Sequence, residues 1–167
     1  MQEMRIYLLN NTKPYREGDE EYSGAWFNCP VDLEEVRERL GVENEEQLEI
    51  ADYELPFEVH SETPLWEINV KCRMVQEMEG TPIGNEMKSI IQRWFYGFDE
   101  FIDHKDEIRY YDMADGAALA EYLICEECIF GEIPHELQKH IDYRSYRNEL
   151  EMQDRYLFTP SGVFRYQ

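Results

Sequence analysis

Carboxylates are the residues best placed to do chemistry in this chain, and they are everywhere. Asp and Glu total 37 of 167 residues, against 16 Lys plus Arg and 4 His. Pairs such as Asp52 with Glu54 have the types needed for general acid–base work. At this density such pairs arise by chance, so they point to no catalytic site. The frames that usually carry catalysis are missing: no phosphate-cradling GxxxxGK[ST], no dinucleotide GxGxxG and no HExxH. Ser161-Gly162 is not part of a nucleophile elbow. His60, His104, His135 and His140 lack metal-ligand spacing, and His60 and His104 lie beside acids as solvated partners. Cys125-Glu-Glu-Cys128 has the spacing of half a zinc site. Cys29 and Cys72, 43 residues apart, supply no second close pair. No EF-hand loop is present. The expectation is a protein that is not an enzyme and holds no metal or cofactor.

What remains is the charge itself. The formal net charge is -21, and self-repulsion of that size opposes compaction and needs a reason. Disordered acidic tails are poor in aromatics, whereas this chain is 43% hydrophobic and 14% aromatic and has enough apolar surface to fold. Simple solubility or adaptation to salt is the plainest account. The excess is Glu-rich, however, and it sits beside many large aromatics, which a salt-adapted chain would replace with smaller apolar residues. No opening segment has the form of a signal peptide and no run is long enough to span a bilayer. A cytoplasmic protein with reduced thiols is expected. Membrane surfaces and nucleic acid are anionic and would repel it, so neither is a direct partner. The expected partner is a basic surface.

The elements that must hold these carboxylates follow from patterning. Residues 5–9 read as a strand, 10–21 as a loop with Pro14 and Gly18, and 22–27 as a second extended run. Asp32 is a helix N-cap with Glu35 as its capping-box partner; Leu33, Val36 and Leu40 share a face, and Gly41 stops the helix. Residues 47–53 form a third strand. Thr63-Pro64 and Thr81-Pro82 each pair an N-cap with a proline at the first turn. Helical spacing follows through Leu65, Ile68, Cys72 and Val75, then Met87, Ile90, Ile91 and Trp94. Gly80 and Gly97 punctuate these helices, and a short helix covers 99–105. A strand at 107–113 and a helix from Asp115 to about Cys128, with Leu119, Tyr122 and Leu123 inward, come next. Gly131 and Pro134 break the chain before a helical region at 135–150, and 155–158 with 162–166 closes as a hairpin. The fold class is α+β in three parts: 1–62 (α+β), 63–106 (helical) and 107–167 (α+β).

The acids recur in every part rather than in one block, so the expected surface is rigid and not a disordered tail. Its candidate residues are Glu17, Asp19, Glu20 and Glu21 in the first loop, and Glu34, Glu35 and Glu38 on the first helix. Glu45, Glu46 and Glu49 follow, then Asp99, Glu100, Asp103 and Asp106, then Glu126, Glu127, Glu132 and Glu136. Duplex DNA carries one charge per roughly 1.7 Å of axis, so a net 21 matches about 36 Å of duplex. The chain has the charge to imitate DNA.

An ordered set of segments carries a resemblance. Gly24-Ala-Trp-Phe27, the Pro-Val-Asp-Leu-Glu-Glu-Val stretch at 30–36 and Asp52-Tyr-Glu-Leu-Pro-Phe57 come first. Gly131-Glu-Ile-Pro134, Ile141-Asp-Tyr-Arg-Ser-Tyr146 with Glu149-Leu150, and Gly162-Val-Phe164 complete it. Together they resemble the ArdA family of antirestriction proteins over essentially the whole chain. The resemblance implies an elongated protein of three small subdomains, usually dimeric, whose carboxylates imitate the phosphates of bent DNA. It implies binding to the methyltransferase core of type I restriction-modification enzymes, with block of restriction and often of modification. It also implies carriage on mobile elements such as conjugative plasmids and transposons. Two departures stand out. Arg147 and Asn148 occupy positions where the family often has Gly then Arg, and Lys71, Arg73, Lys88 and Arg93 interrupt any phosphate-like stripe in the middle. The aromatic segments GAWF and DYELPF are expected as core and turn. The rival expectations are a generic acidic module for another basic DNA-binding protein, and a metal-dependent enzyme using clustered acids.

Overall fold

The computed structural model describes residues 3–12 and 24–167. The expected loop around Pro14 and Gly18, and Glu17, Asp19, Glu20 and Glu21 within it, lie outside the described residues. The chain divides into two compact units, Met1–Glu79 and Gly80–Gln167. Each contains helices and one three-stranded sheet.

In the first unit, β1 (Arg5–Asn10) lies between β2 (Gly24–Asn28) and β3 (Leu48–Glu54), antiparallel to both. Ile6, Leu8 and Asn10 of β1 are buried while Tyr7 and Leu9 are half-buried, the two-residue period of a strand with one covered face. Ile6 faces Phe27 on one side and Tyr53 on the other. The pairing with β3 shifts between Tyr7 and Leu8, leaving Ala51 as the extra residue of a bulge. Gly24 opens the GAWF segment because no side chain fits there: a Cβ would lie 2.9 Å from the Leu8 carbonyl oxygen and 2.5 Å from Leu9 Cδ2.

Helix α1 (Leu33–Leu40) starts on Asp32, whose Oδ1 accepts from Glu34 N at 2.9 Å, and ends on Gly41 in the left-handed conformation. The expected capping box is not formed. Glu35 instead reaches forward to Arg39 at 3.1 Å, trading a backbone donor for an ion pair one turn on. Val36 and Leu40 are buried but Leu33 is 41% exposed, against expectation. Helical side chains lean toward the N-terminus, so a residue in the first turn projects past the packed face.

Helix α2 (Leu65–Met78) buries Leu65, Ile68, Cys72 and Met78. Thr63 does not cap it. The Thr63 hydroxyl accepts from His60 N at 2.9 Å, closing the preceding turn. The Leu65 N–H is taken by Glu45 Oε1 at 2.5 Å, a carboxylate supplied from 20 residues upstream. A carboxylate at the positive end of a helix is favoured by the helix dipole. Asn69 locks α2 to the segment before α1: its Oδ1 accepts from Val31 N at 2.6 Å and its Nδ2 donates to Val31 O at 3.0 Å.

The second unit holds α3 (Pro82–Asn85), α4 (Met87–Trp94), α5 (Phe98–His104), β4 (Arg109–Tyr111), α6 (Gly116–Glu121), α7 (His135–Gln138), α8 (Tyr143–Met152), β5 (Tyr156–Thr159) and β6 (Gly162–Arg165). Thr81, Asp115 and Asp142 each cap the following helix through a side-chain oxygen. Strand β6 is central, antiparallel to β4 and to its hairpin partner β5. Tyr111, Leu119, Ala120, Leu123, Leu150, Tyr156 and Val163 form the core of this sheet and of α6 and α8. The helix expected to run to Cys128 changes character on the way, passing into a π-helical turn at Tyr122–Glu126. The expected helical region at 135–150 is two helices, α7 and α8.

Candidate functional site

A chain with 37 acids puts them outside or neutralises them. Among the described residues no carboxylate is buried; Glu67, Glu86, Glu100 and Glu127 are half-buried and all the others are exposed. The first unit has 20 acidic and 7 basic residues and the second 17 and 9, so the negative excess is denser in the first.

On α1, Val36 and Leu40 face inward and leave Glu34, Glu35 and Glu38 outward. A short 3-10 turn, Glu45–Gln47, and the start of β3 then present Glu45, Glu46 and Glu49. These three line an open cavity of about 570 Å³ with Glu62, Asn11 and Thr63. Glu62 was not among the candidate residues. It joins them because the turn before α2 folds back on the 45–49 segment, a contact with no mark in the linear pattern. Glu45 has two duties, since it is also the cap of α2.

In the second unit Asp99, Glu100 and Asp103 lie on α5, and Asp106 lies on the 3-10 turn after it. Glu100 is partly engaged: its Oε2 accepts from Tyr96 N at 2.7 Å. Asp106 lies 2.9 Å from Lys105 Nζ. His104 Nδ1 lies 3.0 Å from Glu107, and its ring stacks on Phe95 at 6.2 Å. The hydrogen bond to Glu107 raises the His104 pKa above the ordinary imidazole value. Glu126 is exposed at the end of the π-helical turn, and Glu127 turns back to ion-pair with Arg109 of β4. Glu132 and Glu136 are exposed in the loop before α7 and on its first turn.

The candidates therefore divide. Glu35, Glu45, Glu100, Asp106 and Glu127 hold something in the fold. Glu34, Glu38, Glu46, Glu49, Glu132 and Glu136 are exposed and, among the described residues, take part in no ion pair. The cations of the middle are partly spent: Lys71 pairs with Glu67 at 3.4 Å and lies over Phe57, and Arg93 reaches Asp154 at 3.4 Å. Arg5 forms a two-pronged pair with Glu54, at 2.5 and 2.9 Å, which lowers the Glu54 pKa and raises that of Arg5.

The cysteines fall into two pairs. Cys29 and Cys72, far apart in sequence, are both buried and hydrogen-bond each other, which pushes the Cys72 thiol up and holds Cys29 down. Cys125 and Cys128 are half-buried free thiols. Among the described residues no group of three or more His, Cys, Asp or Glu is placed to hold a metal ion. No described helix is long and apolar enough to cross a membrane.

Among the described residues the carboxylates thus stand at the surface as fixed negative charge. A family model described as Antirestriction protein (ArdA) matches residues 7–165 of the chain. No curated protein matches it.

Proposed function

Because the chain belongs to the ArdA family of antirestriction proteins, we propose that it is a folded acidic mimic of DNA that fills the DNA-binding groove of type I restriction-modification enzymes. The contact is with the methyltransferase core, and it blocks both restriction and modification. The protein works in the cytoplasm as a homodimer, binds no nucleic acid itself and catalyses nothing.

The single observation that supports this best is the placement of the carboxylates. None in the described residues is buried, and the clusters on α1, at 45–49, on α5 and from Glu126 to Glu136 stand on or beside regular elements. Lys and Arg of a DNA-binding groove hold DNA largely through its phosphates, the part of binding that ignores sequence. Carboxylates accept charge-assisted hydrogen bonds from the same groups, two at a time from Arg. A folded protein also avoids the cost of bending duplex DNA into the groove. The division at 1–62, 63–106 and 107–167 assigns most of the mimicry to the two end parts, including Glu17, Asp19, Glu20 and Glu21. The middle, with Lys71, Arg73, Lys88 and Arg93, contributes less.

Competition tests the proposal. The purified protein is titrated against labelled duplex bound to a type I enzyme at two salt concentrations, and displacement is expected at both. Failure to displace DNA at either salt would favour a generic acidic module for another basic DNA-binding protein. Distributed mimicry also makes no carboxylate indispensable. One exposed ion pair is worth ~0.2–1 kcal/mol, so a single exposed Glu→Gln should change affinity several-fold at most. One such substitution that abolished inhibition in a folded protein would sink the distributed model.

A further inference from the structure

Two irregularities fall on one short segment of the second unit. Helix α6 passes into a π-helical turn at Tyr122–Glu126, and Cys128 then adopts φ 52, a left-handed position usually given to glycine. Such departures mark functional segments more often than regular ones do. Here they bracket Cys125-Glu-Glu-Cys128. The turn is held by Glu127 N to Tyr122 O at 3.0 Å, Ile129 N to Leu123 O at 3.2 Å and Gly131 N to Cys128 O at 2.8 Å.

Both sulfurs are placed by hydrogen bonds. Cys125 Sγ lies 3.2 Å from the Tyr143 hydroxyl, whose one hydrogen goes to Gln138 O at 2.8 Å. Cys125 S–H is therefore the donor to Tyr143. Cys128 Sγ points back along the turn, donating to Cys125 O at 3.5 Å. A disulfide needs Cβ atoms roughly 3.5–4.5 Å apart, closer than the about 5–6 Å of residues three apart on a regular helix, so a pair at this spacing closes where the helix is irregular, as it is at this turn. Both thiols are half-buried and within reach of a small reagent, whereas Cys29 and Cys72 are buried.

We propose that Cys125 and Cys128 are a reversible dithiol–disulfide pair, closed by a small-molecule disulfide, and that closure releases Tyr143 and re-sets the turn that displays Glu126 and holds Glu127 against Arg109. The Cys128 thiolate, the less tightly held sulfur, attacks one sulfur of the reagent. A mixed disulfide forms, the reagent's S–S bond breaks and one thiolate leaves. The Cys125 thiolate then attacks Cys128 Sγ, forms the internal S–S bond and expels the second thiolate. The two protons lost by the cysteines pass through solvent to the two departing thiolates. The protein loses two electrons and the reagent gains them. A chain of net charge -21 repels anionic disulfides, so the cationic disulfide cystamine is the right probe.

The covalent step stands apart from the proposed function; only the consequence for Glu126 and Glu127 rests on it. The full chain is treated with cystamine, blocked with N-ethylmaleimide and mapped by peptide mass. The expected product is an intramolecular Cys125–Cys128 link, lighter by two hydrogens and reversed by dithiothreitol, with Cys29 and Cys72 unmodified until unfolding. Cys125→Ser should stop at a mixed disulfide between Cys128 and one cysteamine. Stable adducts on both wild-type cysteines, links only between chains, or no reaction would overturn the pair, and none of these readouts depends on a variant folding. Oxidised and reduced proteins are then compared in the DNA-competition assay, where a several-fold loss of potency on oxidation is expected. Equal potency would overturn the coupling to Glu126 and Glu127. Inactivity of both forms would overturn the function proposed above while the mapped link stood.

Discussion

At the scale of single residues, the Asn10 side chain is buried and makes three hydrogen bonds. Its Nδ2 donates to Leu40 O at 2.9 Å, and its Oδ1 accepts from Thr12 N at 3.0 Å and Thr12 Oγ1 at 2.6 Å. It ties the end of the central strand to the last turn of α1. Asn10→Ala strands the Leu40 carbonyl and should cost about 1–3 kcal/mol, read as a lower denaturant midpoint at unchanged slope. Local sequence could not reveal this, because Asn10 stands at a strand end where a polar residue looks like the start of a loop. Arg147, which departs from the family pattern, has an equally non-local explanation. Its side chain lies over Gly116, where a Cβ would be 2.5 Å from Arg147 Cγ, and its guanidinium reaches Glu151 at 2.8 Å. Asp32, Thr81 and Asp115 were legible as caps, since a cap and its helix are neighbours in sequence.

At the scale of elements, what could be read depended on the same distinction. Hydrophobic period and turn residues placed β1, α1, β3, the start of α2 and the β5–β6 hairpin within a residue or two, while the helix expected to open at Thr81-Pro82 is two helices, α3 and α4. They could not show that the start of α2 borrows its cap from Glu45, or that Glu62 faces Glu45, Glu46 and Glu49 across a cavity. Those contacts depend on how a turn folds back, which composition leaves open. The borrowed cap separates two roles of one carboxylate. Glu45→Gln keeps an oxygen for Leu65 N and removes a charge, so stability should hold. Glu45→Ala removes both and should cost ~0.5–2 kcal/mol, the usual loss for a helix cap. Thermal unfolding of the two variants separates them, and equal destabilisation would show that the charge, not the acceptor, holds α2.

At the scale of the whole molecule, the acidity was legible from composition, and its meaning came from the order of the family segments rather than from charge. A net charge of -21 with no described carboxylate buried is a surface that repels itself. Added monovalent salt shortens the Debye length from about 30 Å at 0.01 M to roughly 8 Å at 0.15 M, so it should raise the melting temperature. A melting temperature that fell over this range would show that the ion pairs outweigh the repulsion. The proposed mimicry has one more consequence, since in it weak acids stand in for the strong acids of a phosphodiester backbone. Carboxylates as a class take up protons near pH ~4, and the chain's isoelectric point is ≈ 4.4. Duplex DNA keeps its charge through that range. Acidification should therefore discharge the counterfeit and leave the original untouched, so that DNA regains the groove as pH falls toward the isoelectric point.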